Sequence, residues 1–527
     1  MRYILKLHIF VIFRLYMGII TKILIKKLQF NKIVIQNSEF IFYSHITKFP
    51  YIIREYYTLR SELHMTPRIE KDFLGTLEIP KDVYYGVQTM RAKENFPITG
   101  LVVDPQLIRA FAIVKKSTTQ AHLATGQLDE TIANAIIQAA DEIIAGKLHD
   151  QFIVDPIQGG AGTSLNMNTN EVIANRALEI LGHEKGSYSI ISPNSHVNKA
   201  QSTNDSFPTA IHVSTVMVLV ELLKAMDTMV EVFEEKAKEF DHVIKMGRTH
   251  LQDAVPVRLG QEFKAYATVL RRDIKRIKQA KEHLYEINLG ATAIGTCLNA
   301  DATYIKSAIE YVQENTGLPF KQCENHIDGT QNTDIYTEVS SALKICMLNM
   351  SKICNDLRLM ASGPKTGFAE ICLPERQPGS SIMPGKVNPV MLEVVNQIAF
   401  QVVGNDATIS MASEAGQFEL NVMEPVLVFN LLQSVRIMTN GFTAFTNYCL
   451  KGIRANEEVL RNNVERSIGV VTAIAPFVGY EAASALAREA LHTGESVRSL
   501  CLKHGHFTEE EIDVVLDPFR MTTLQEK

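Results

Sequence analysis

Residues 209–246 read TAIHVSTVMVLVELLKAMDTMVEVFEEKAKEFDHVIKM and contain neither glycine nor proline. Apolar side chains recur along this stretch at alternating steps of four and three residues, at Val216, Val220, Leu223, Met226, Val230, Phe233, Ala237, Phe240 and Ile244. An average step of about 3.5 residues is typical of a helix that packs lengthwise against other helices. The stretch therefore predicts one long bundle helix over 209–246.

Two further runs without glycine or proline, 261–289 and 330–362, repeat this pattern. At about 1.5 Å per residue the three helices measure roughly 40 to 55 Å, longer than the diameter of about 30 Å of a compact domain. The first half of the 209–246 helix is apolar on nearly every side, so it needs neighbours all round, and oligomerisation would supply them. We therefore expect a mainly all-α fold with an elongated bundle shared between subunits.

The first 64 residues differ from the rest of the chain. The whole sequence carries 53 Lys and Arg against 58 Asp and Glu, a net charge of −5. Residues 1–64 hold 10 basic and 3 acidic residues, which leaves 43 basic and 55 acidic residues, net −12, from Met65 onward. Within residues 1–27, the longest stretches without Lys or Arg, 7–13 and 15–21, are far shorter than the ~20 apolar residues of a membrane span.

This opening segment is predicted to lie outside the native chain. Its bias toward Ile, Lys, Phe, Tyr and Asn is what translated A/T-rich noncoding DNA would give, and it stops abruptly at Met65. An early start assignment is therefore the favoured interpretation, and a transit peptide or a surface anchor is the alternative. The acidic remainder argues against binding to nucleic acid.

The seven cysteines at 297, 323, 346, 354, 372, 449 and 501 include no C-x-x-C pair. An odd, scattered set is typical of reduced thiols in a cytoplasmic protein, and no His or carboxylate cluster requires a metal. The pattern along the chain divides it into residues 65–205, a mixed N-terminal region, 206–458, the central helical bundle, and 459–527, a small C-terminal helical region.

Two polar stretches stand immediately before predicted helices. GGAGTSLNMNTNEV (159–172) combines a glycine-rich turn with Thr163, and PNSHVNKAQSTNDSFPT (193–209) presents Ser202, Thr203 and Asn204 in succession. Each stretch could be only a loop with a helix cap. Alternatively, hydroxyls and backbone N–H groups at a helix N-terminus form an anion site.

Two more polar stretches lie farther along the chain. MGRTHLQDAVPVRLGQE (246–262) places Thr249 and His250 at one end of the bundle, where a lone histidine is more often structural. PGSSIMPGKVNPVMLE (378–393) is not a nucleotide phosphate loop, because five residues separate its glycines and valine follows the lysine. A mobile loop with serines, an ammonium and an amide suits a small carboxylate, and it carries Ser380, Ser381, Lys386 and Asn388.

The four stretches together resemble, in order and spacing, the sequence blocks of the aspartase/fumarase superfamily. GSSIMPGKVNP resembles the superfamily signature, and the likeness extends from about Arg68 to near Met521. GGAGTS, QSTND, LQDAVP and NPV resemble the aspartase branch, whereas class II fumarases, the alternative, tend toward GSGTS, QSSND, LMDATP and NPT. One departure is Cys297 in GATAIGTCLN, where glycine is usual, and this cysteine is expected to strain a tight turn.

The resemblance implies reversible deamination of L-aspartate to fumarate and ammonia through an enediolate, with no organic cofactor. It implies that Ser380 is the general base, and that Asn204 and His250 contact the amino group or a neighbouring carboxylate. The remaining substrate contacts follow by match to the family: Thr163, Ser202, Thr203 and the backbone of Ser381 for the β-carboxylate, and Thr249, Lys386 and Asn388 for the α-carboxylate.

The resemblance also implies an architecture. Family members have three domains per chain and form a homotetramer, whose 20-helix core joins the long helices of all subunits. Each active site takes its blocks from three chains. The superfamily includes structural lens crystallins, but retention of Ser380, Lys386 and His250 favours an enzyme here. No nucleic-acid or membrane partner is expected.

Overall fold

The structure of the protein is a computed structural model that describes residues 67–524. The predictions for residues 1–64 fall outside the described residues. The described helices are α1 (Val87–Asn95), α2 (Pro105–Ala124), α3 (Glu130–Ile144), α4 (Thr163–Ile180), α5 (Thr203–Glu239), α6 (Leu259–His283), α7 (Ala302–Thr316), α8 (Asp328–Gln331), α9 (Asp334–Met360), α10 (Val390–Glu414), α11 (Glu424–Tyr448), α12 (Glu457–Arg466), α13 (Val471–Val478), α14 (Tyr480–Thr493), α15 (Val497–Lys503), α16 (Glu509–Val515) and α17 (Pro518–Met521).

The strands are short and form four two-stranded sheets within residues 67–524. β5 and β6 pair in parallel, and the other three pairs are antiparallel. The strands are β1 (Arg68–Asp72), β2 (Gly75–Ile79), β3 (Ile244–Thr249), β4 (Gln252–Arg258), β5 (Glu286–Ile287), β6 (Lys321–Gln322), β7 (Ile371–Cys372) and β8 (Arg454–Ala455). The mainly all-α prediction is confirmed.

Five long helices form the bundle: α5, α6, α9, α10 and α11. α5 packs along α6 and α11, while α9 packs along α6 and α10, and α10 packs along α11. α5 has 37 residues and α9 has 27, so the helices measure roughly 55 and 40 Å at about 1.5 Å per residue. The apolar side chains predicted to line one side of α5 are largely buried, and Phe233 and Met226 are inaccessible to solvent.

The predicted C-terminal end of the first bundle helix is wrong. α5 ends at Glu239, where the N–H of Phe240 donates to the carbonyl of Lys236, and Ile244 and Met246 lie in β3. Two lysines in the last turn favour a helix end, because cations interact well with the terminal carbonyls. The alternating residues of β3 continue the apolar spacing by chance, so periodicity alone could not locate the boundary.

The other two predicted bundle helices are also shorter than expected. The helix predicted over 261–289 is α6, which ends at His283, and Ile287 belongs to β5. The helix predicted over 330–362 is α9, from Asp334 to Met360. Beyond α6 the chain continues to residue 289 without glycine or proline, so the sequence contains no strong stop signal there. Beyond α9 the stop signal Gly363-Pro364 follows only after two more residues, when the helix has already ended.

The apolar first half of α5 finds its neighbours within one chain. Every residue from 205 to 216 is buried, so oligomerisation is not needed to cover this segment. The most apolar window of α5 is long and apolar enough to cross a membrane, but 78% of it is buried inside the protein, as in a core helix. By contrast, α10 leaves Phe400 68% and Met411 74% exposed, so a large apolar face of the bundle stays open in one chain.

The buried apolar side chains form two clusters. The larger cluster extends from Ala92 to Leu460 and fills the bundle and the helices before it. The smaller one lies in the C-terminal helices and also includes Met246 of the β3–β4 hairpin. The division at 205/206 and 458/459 stays a prediction, and α5 itself begins at Thr203, just before the first of these boundaries.

Candidate functional site

The first two polar stretches meet in the folded chain. Thr163 is the first residue of α4 and Thr203 is the first residue of α5. The turn before α4 needs glycine at 162, because its φ is +88° and an added Cβ would lie 2.2 Å from the Phe207 ring. Ser202 caps α5, since its Oγ accepts the N–H of Asn204 at 3.1 Å. We call Thr163, Ser202, Thr203 and Asn204 the hydroxyl cluster.

Asn166 joins the two halves of the hydroxyl cluster. Its Nδ2 donates to Thr203 Oγ1 at 3.1 Å and to Asn198 Oδ1 at 3.2 Å. Asn204 is held from the other side, where its Nδ2 donates to the carbonyl of Ala293 at 2.7 Å. That bond leaves the amide oxygen of Asn204 as an acceptor, which suits contact with an ammonium group. The polar residues at the starts of α4 and α5 therefore form a hydrogen-bonded network in addition to capping the helices.

Buried charges lie directly behind the hydroxyl cluster. Asp205 accepts the backbone N–H groups of Ser202, Gly290 and Thr292 at 2.9 to 3.1 Å. Burial raises the pKa of Asp205 to about 7 and lowers the pKa of Lys115 to about 7, and the attraction between the two charges opposes both shifts. Neither residue is among those predicted from the sequence, although Lys115 directly follows the apolar run AFAIV (110–114) of α2, which was an available signal.

The third stretch forms the tip of the β3–β4 hairpin. Thr249 pairs with Gln252, so His250 and Leu251 are the two central residues of the turn, with φ of +55° and +59°. Positive φ at both positions is the type I′ pattern, which favours Asn and Gly and is strained for other residues. Thr249 and His250 are exposed. The fold therefore holds the imidazole at a strained tip that projects from the chain.

The fourth stretch is a loop with a closed neck, residues 379–388, which we call the serine loop. The N–H of Gly379 donates to the carbonyl of Lys386 at 2.7 Å, and Asn388 Nδ2 donates to the carbonyl of Gly379 at 2.8 Å. Asn388 thus fastens the loop, a role that the sequence did not predict. Its contact with a substrate carboxylate stays a prediction.

Ser380 lies inside the serine loop. Its Oγ accepts the N–H of Ile382 at 3.2 Å and that of Met383 at 3.1 Å. Ser380 and Lys386 line one open cavity of about 400 Å³, and Ser381 is exposed beside them. Two N–H donors and a nearby ammonium are groups that stabilise an oxyanion.

The hairpin tip and the serine loop lie at one end of the bundle. Lys245 of β3 lies 3.7 Å from the sulfur of Met360 at the end of α9 and 3.5 Å from Glu370. The start of α10, just after the serine loop, is beside the same end of α9, where Arg358 donates to Asn396 at 3.3 Å. These contacts place both groups beyond the C-terminal ends of α5 and α9.

The hydroxyl cluster lies at the opposite end. It is at the first residue of α5, and the hairpin follows the last residue, so the helix separates them by roughly 54 Å at about 1.5 Å per residue. One chain therefore does not bring the predicted site residues together. A site containing all of them requires contributions from more than one chain.

Cys297 lies in the loop next to the hydroxyl cluster. Its φ is +57°, in the left-handed region that favours glycine, which agrees with the expected strain at this position. Its Sγ lies 3.7 Å from His326 Nδ1. Within residues 67–524 the seven thiols are all free, and no three His, Cys, Asp or Glu side chains are grouped so that they could hold a metal ion.

Known proteins similar to this chain are lyases. Residues 75–404 match a family described as Lyase, and residues 470–523 match one described as Fumarase C C-terminus. The chain is 66% identical over 455 residues to an aspartate ammonia-lyase of Bacillus subtilis (strain 168), covering 86% of this chain and 96% of that protein. It is 50% identical to an aspartate ammonia-lyase of Helicobacter pylori (strain ATCC 700392 / 26695), covering 86% and 97%.

Solved structures give the same fold. A fumarate lyase:delta crystallin from Brucella melitensis bound to cobalt superposes with a TM-score of 0.85 at 46% identity, covering 87% of this chain and all of that one. A class II fumarase from Schistosoma mansoni superposes with a TM-score of 0.83 at 32% identity, covering 86% and 99%. The two relatives named as aspartate ammonia-lyases are thus more similar in sequence than this fumarase.

Proposed function

The chain belongs to the aspartase/fumarase superfamily, and from this membership we propose how its separated polar groups act together. It is an aspartate ammonia-lyase, which converts L-aspartate reversibly to fumarate and ammonia. The observation that carries this function is the identity of 50 to 66% to several aspartate ammonia-lyases over most of the chain. The residue roles, the assembly and the location in the cytoplasm are our proposals.

The chemical difficulty is removal of a proton from Cβ of aspartate. The electron pair of the C–H bond moves onto the neighbouring carboxylate, which becomes a dianionic enediolate. Oriented hydrogen-bond donors stabilise such charge better than water does, because they need not reorganise during the reaction. The hydroxyls of Thr163, Ser202 and Thr203 are our proposed donors. Their position at the starts of α4 and α5 supports this role, because helix N-termini favour negative charge.

Ser380 is the proposed base that takes the Cβ proton. A serine hydroxyl is a weak base in water, so its alkoxide needs stabilising groups. The N–H groups of Ile382 and Met383, already directed at Oγ, support this assignment, and the ammonium of Lys386 lines the same cavity. Collapse of the enediolate then expels the amino group as ammonia, forming the double bond of fumarate.

The α-carboxylate and the amino group are assigned to the hairpin tip and the serine loop. Lys386 supplies a full positive charge, and Thr249 and Asn388 supply neutral hydrogen bonds for the α-carboxylate. His250 and Asn204 contact the amino group or a neighbouring carboxylate. The strained turn at His250 supports a functional position, because such strain persists where the side chain must be held in one direction.

The proposed assembly is a homotetramer in which each site takes residues from three chains. Two observations support it. The two polar ends of one chain are roughly 54 Å apart. In addition, Phe400 and Met411 leave an apolar face of the bundle uncovered. Five long helices per chain would give twenty in the core of a tetramer.

The test follows the ultraviolet absorbance of fumarate with L-aspartate and L-malate in parallel reactions. We expect turnover of L-aspartate. The malate reaction matters because the class II fumarase of Schistosoma mansoni shares the fold. Activity with malate alone would overturn the function and favour a fumarase.

A further inference from the structure

One buried lysine is bonded only to the segment that carries the hydroxyl cluster. Lys115 of α2 is fully inaccessible to solvent. Its Nζ donates to Asn198 Oδ1 at 2.9 Å and to Gln201 Oε1 at 2.8 Å. Both acceptors lie in the few residues before Ser202. Burial of an ammonium group costs free energy unless hydrogen bonds compensate for it. Because both of these bonds go to the turn before Ser202, they indicate a role of Lys115 at that turn.

Asn198 is the junction of this network. Its Oδ1 also accepts from Asn166 and Asn170, each at 3.2 Å, and both donors are on α4. Asn198 in turn donates to the carbonyl of Gln201 at 3.1 Å. This network accounts for two of the three asparagines at 166, 168 and 170, because Asn166 and Asn170 lie one helical turn apart and donate to the same oxygen.

The network ends on a substrate-binding hydroxyl. Asn166 uses the same Nδ2 to reach Asn198 Oδ1 and, at 3.1 Å, Thr203 Oγ1. Since Thr203 accepts this bond, its own hydrogen is directed elsewhere and can point to a ligand. A continuous path therefore joins Lys115, Asn198, Asn166 and Thr203.

We propose that Lys115 is a positioning residue for the carboxylate subsite. It holds the 198–201 turn through Asn198 and Gln201, and so orients Thr203 through Asn166. The inference rests on the proposed substrate role of the hydroxyl cluster. Lys115 touches no substrate itself. Lys115 also attracts the buried carboxyl group of Asp205, which accepts the N–H of Ser202 directly after the same turn.

The test is a double-mutant cycle between Lys115 and Thr203. Lys115→Met keeps the length of the side chain but removes the charge and the donors. We expect its kcat/KM for L-aspartate to fall about 30-fold, because two amide oxygens lose their charged partner. In the Thr203→Val background the same change should cost less than about fivefold, since the hydroxyl that it positions is already gone.

The neighbouring Lys116→Met is the matched control. Lys116 is on the same helix but pairs with Asp141 at 2.8 Å, away from the network. Its kcat/KM should stay within about twofold of wild type. Size-exclusion chromatography and thermal unfolding of each variant report assembly. Lys115→Gln, which keeps an NH₂ donor group without the charge, should retain more activity than Lys115→Met. It replaces Lys115→Met in the cycle if that variant does not assemble.

The outcomes separate this inference from the proposed function. If Thr203→Val leaves kcat/KM unchanged, the hydroxyl cluster does not bind substrate, and the assignment of the site fails. Suppose instead that Thr203→Val lowers kcat/KM. The positioning role alone is then overturned if Lys115→Met has no effect, or if it lowers kcat/KM by the same factor in the Thr203→Val background as in wild type. Failure of both Lys115 variants to assemble would assign the residue to folding and also overturn it.

Discussion

Two inactive variants of this chain should restore activity to each other. Thr163→Val/Thr203→Val removes two hydroxyls at one end of the bundle, and Ser380→Ala removes the proposed base at the other end. If the proposed homotetramer forms, each variant on its own lacks one necessary group in every site. In a mixed tetramer, a site that draws its hydroxyl cluster from one variant and its serine loop from the other is complete.

The size of the recovery follows from the separation of the two ends. α5 spans 37 residues, or roughly 54 Å from its first to its last residue, so one chain cannot place both groups around one substrate. When the variants mix randomly in equal amounts, the hydroxyl cluster is intact with a probability of about one half, and so is the serine loop. About one quarter of the sites should therefore be active.

The assay is fumarate absorbance after the two variants are unfolded together and refolded. In the first control, each variant is refolded alone. In the second, the two variants are mixed without unfolding and should stay inactive, because intact oligomers should not exchange chains quickly. Wild type refolded at the same concentration sets the scale. A mixture no more active than its parents, when size-exclusion chromatography shows tetramers, would refute the shared site.

Four single changes test other steps. Ser380→Ala should lower kcat by about 10³-fold or more with the oligomer intact, and retention of a tenth of wild-type kcat excludes it as the base. Lys386→Ala should chiefly raise the KM for aspartate, and an unchanged KM counts against its carboxylate contact. Burial lowers the pKa of His212 from 6.5 to about 4. The free energy of unfolding should therefore be independent of this group above pH 6.5 and fall by about 3 kcal/mol as the pH is lowered to 4. His212→Gln should flatten this dependence in thermal unfolding. Cys297→Gly should raise stability by about 1 kcal/mol with kcat unchanged, and a lower thermal midpoint would contradict the strain.

The sequence predicted the bundle well and its ends poorly. Packing of the long helices depends on apolar spacing, which is a local property and can be read directly, as at Met226 and Phe233. The hairpin at β3–β4 was missed because Ile244 and Met246 fit both a helical and an alternating pattern. Whether these residues form a helix or a strand is decided by their pairing with β4, which lies outside the apolar pattern.

Predictions of the site were also limited to what the local sequence pattern shows. The hydroxyls of Ser202 and Thr203 stand out because three polar residues precede an apolar helix. Lys115 shows in the sequence only as a lysine at the end of an apolar run. Its partners are more than 80 positions away along the chain and become neighbours only when α2 packs against α5. Asn388 was identified as a polar loop residue, but its bond to Gly379 depends on closure of the loop neck.

The local arrangement of charge resolves an apparent conflict between this protein and its substrate. Aspartate enters with two carboxylates, yet the chain from Met65 onward carries a net charge of −12 from 43 basic and 55 acidic residues, so long-range attraction cannot gather it. Attraction must come from groups within about a Debye length of 8 to 10 Å. The starts of α4 and α5 lie close together, where Asn166 donates to Thr203, and each supplies the positive end of a helix dipole. In the proposed shared site, Lys386 would add a positive charge from the serine loop of another chain. In the proposed assembly, the groups that attract the two carboxylates of aspartate therefore come together only when the chains associate.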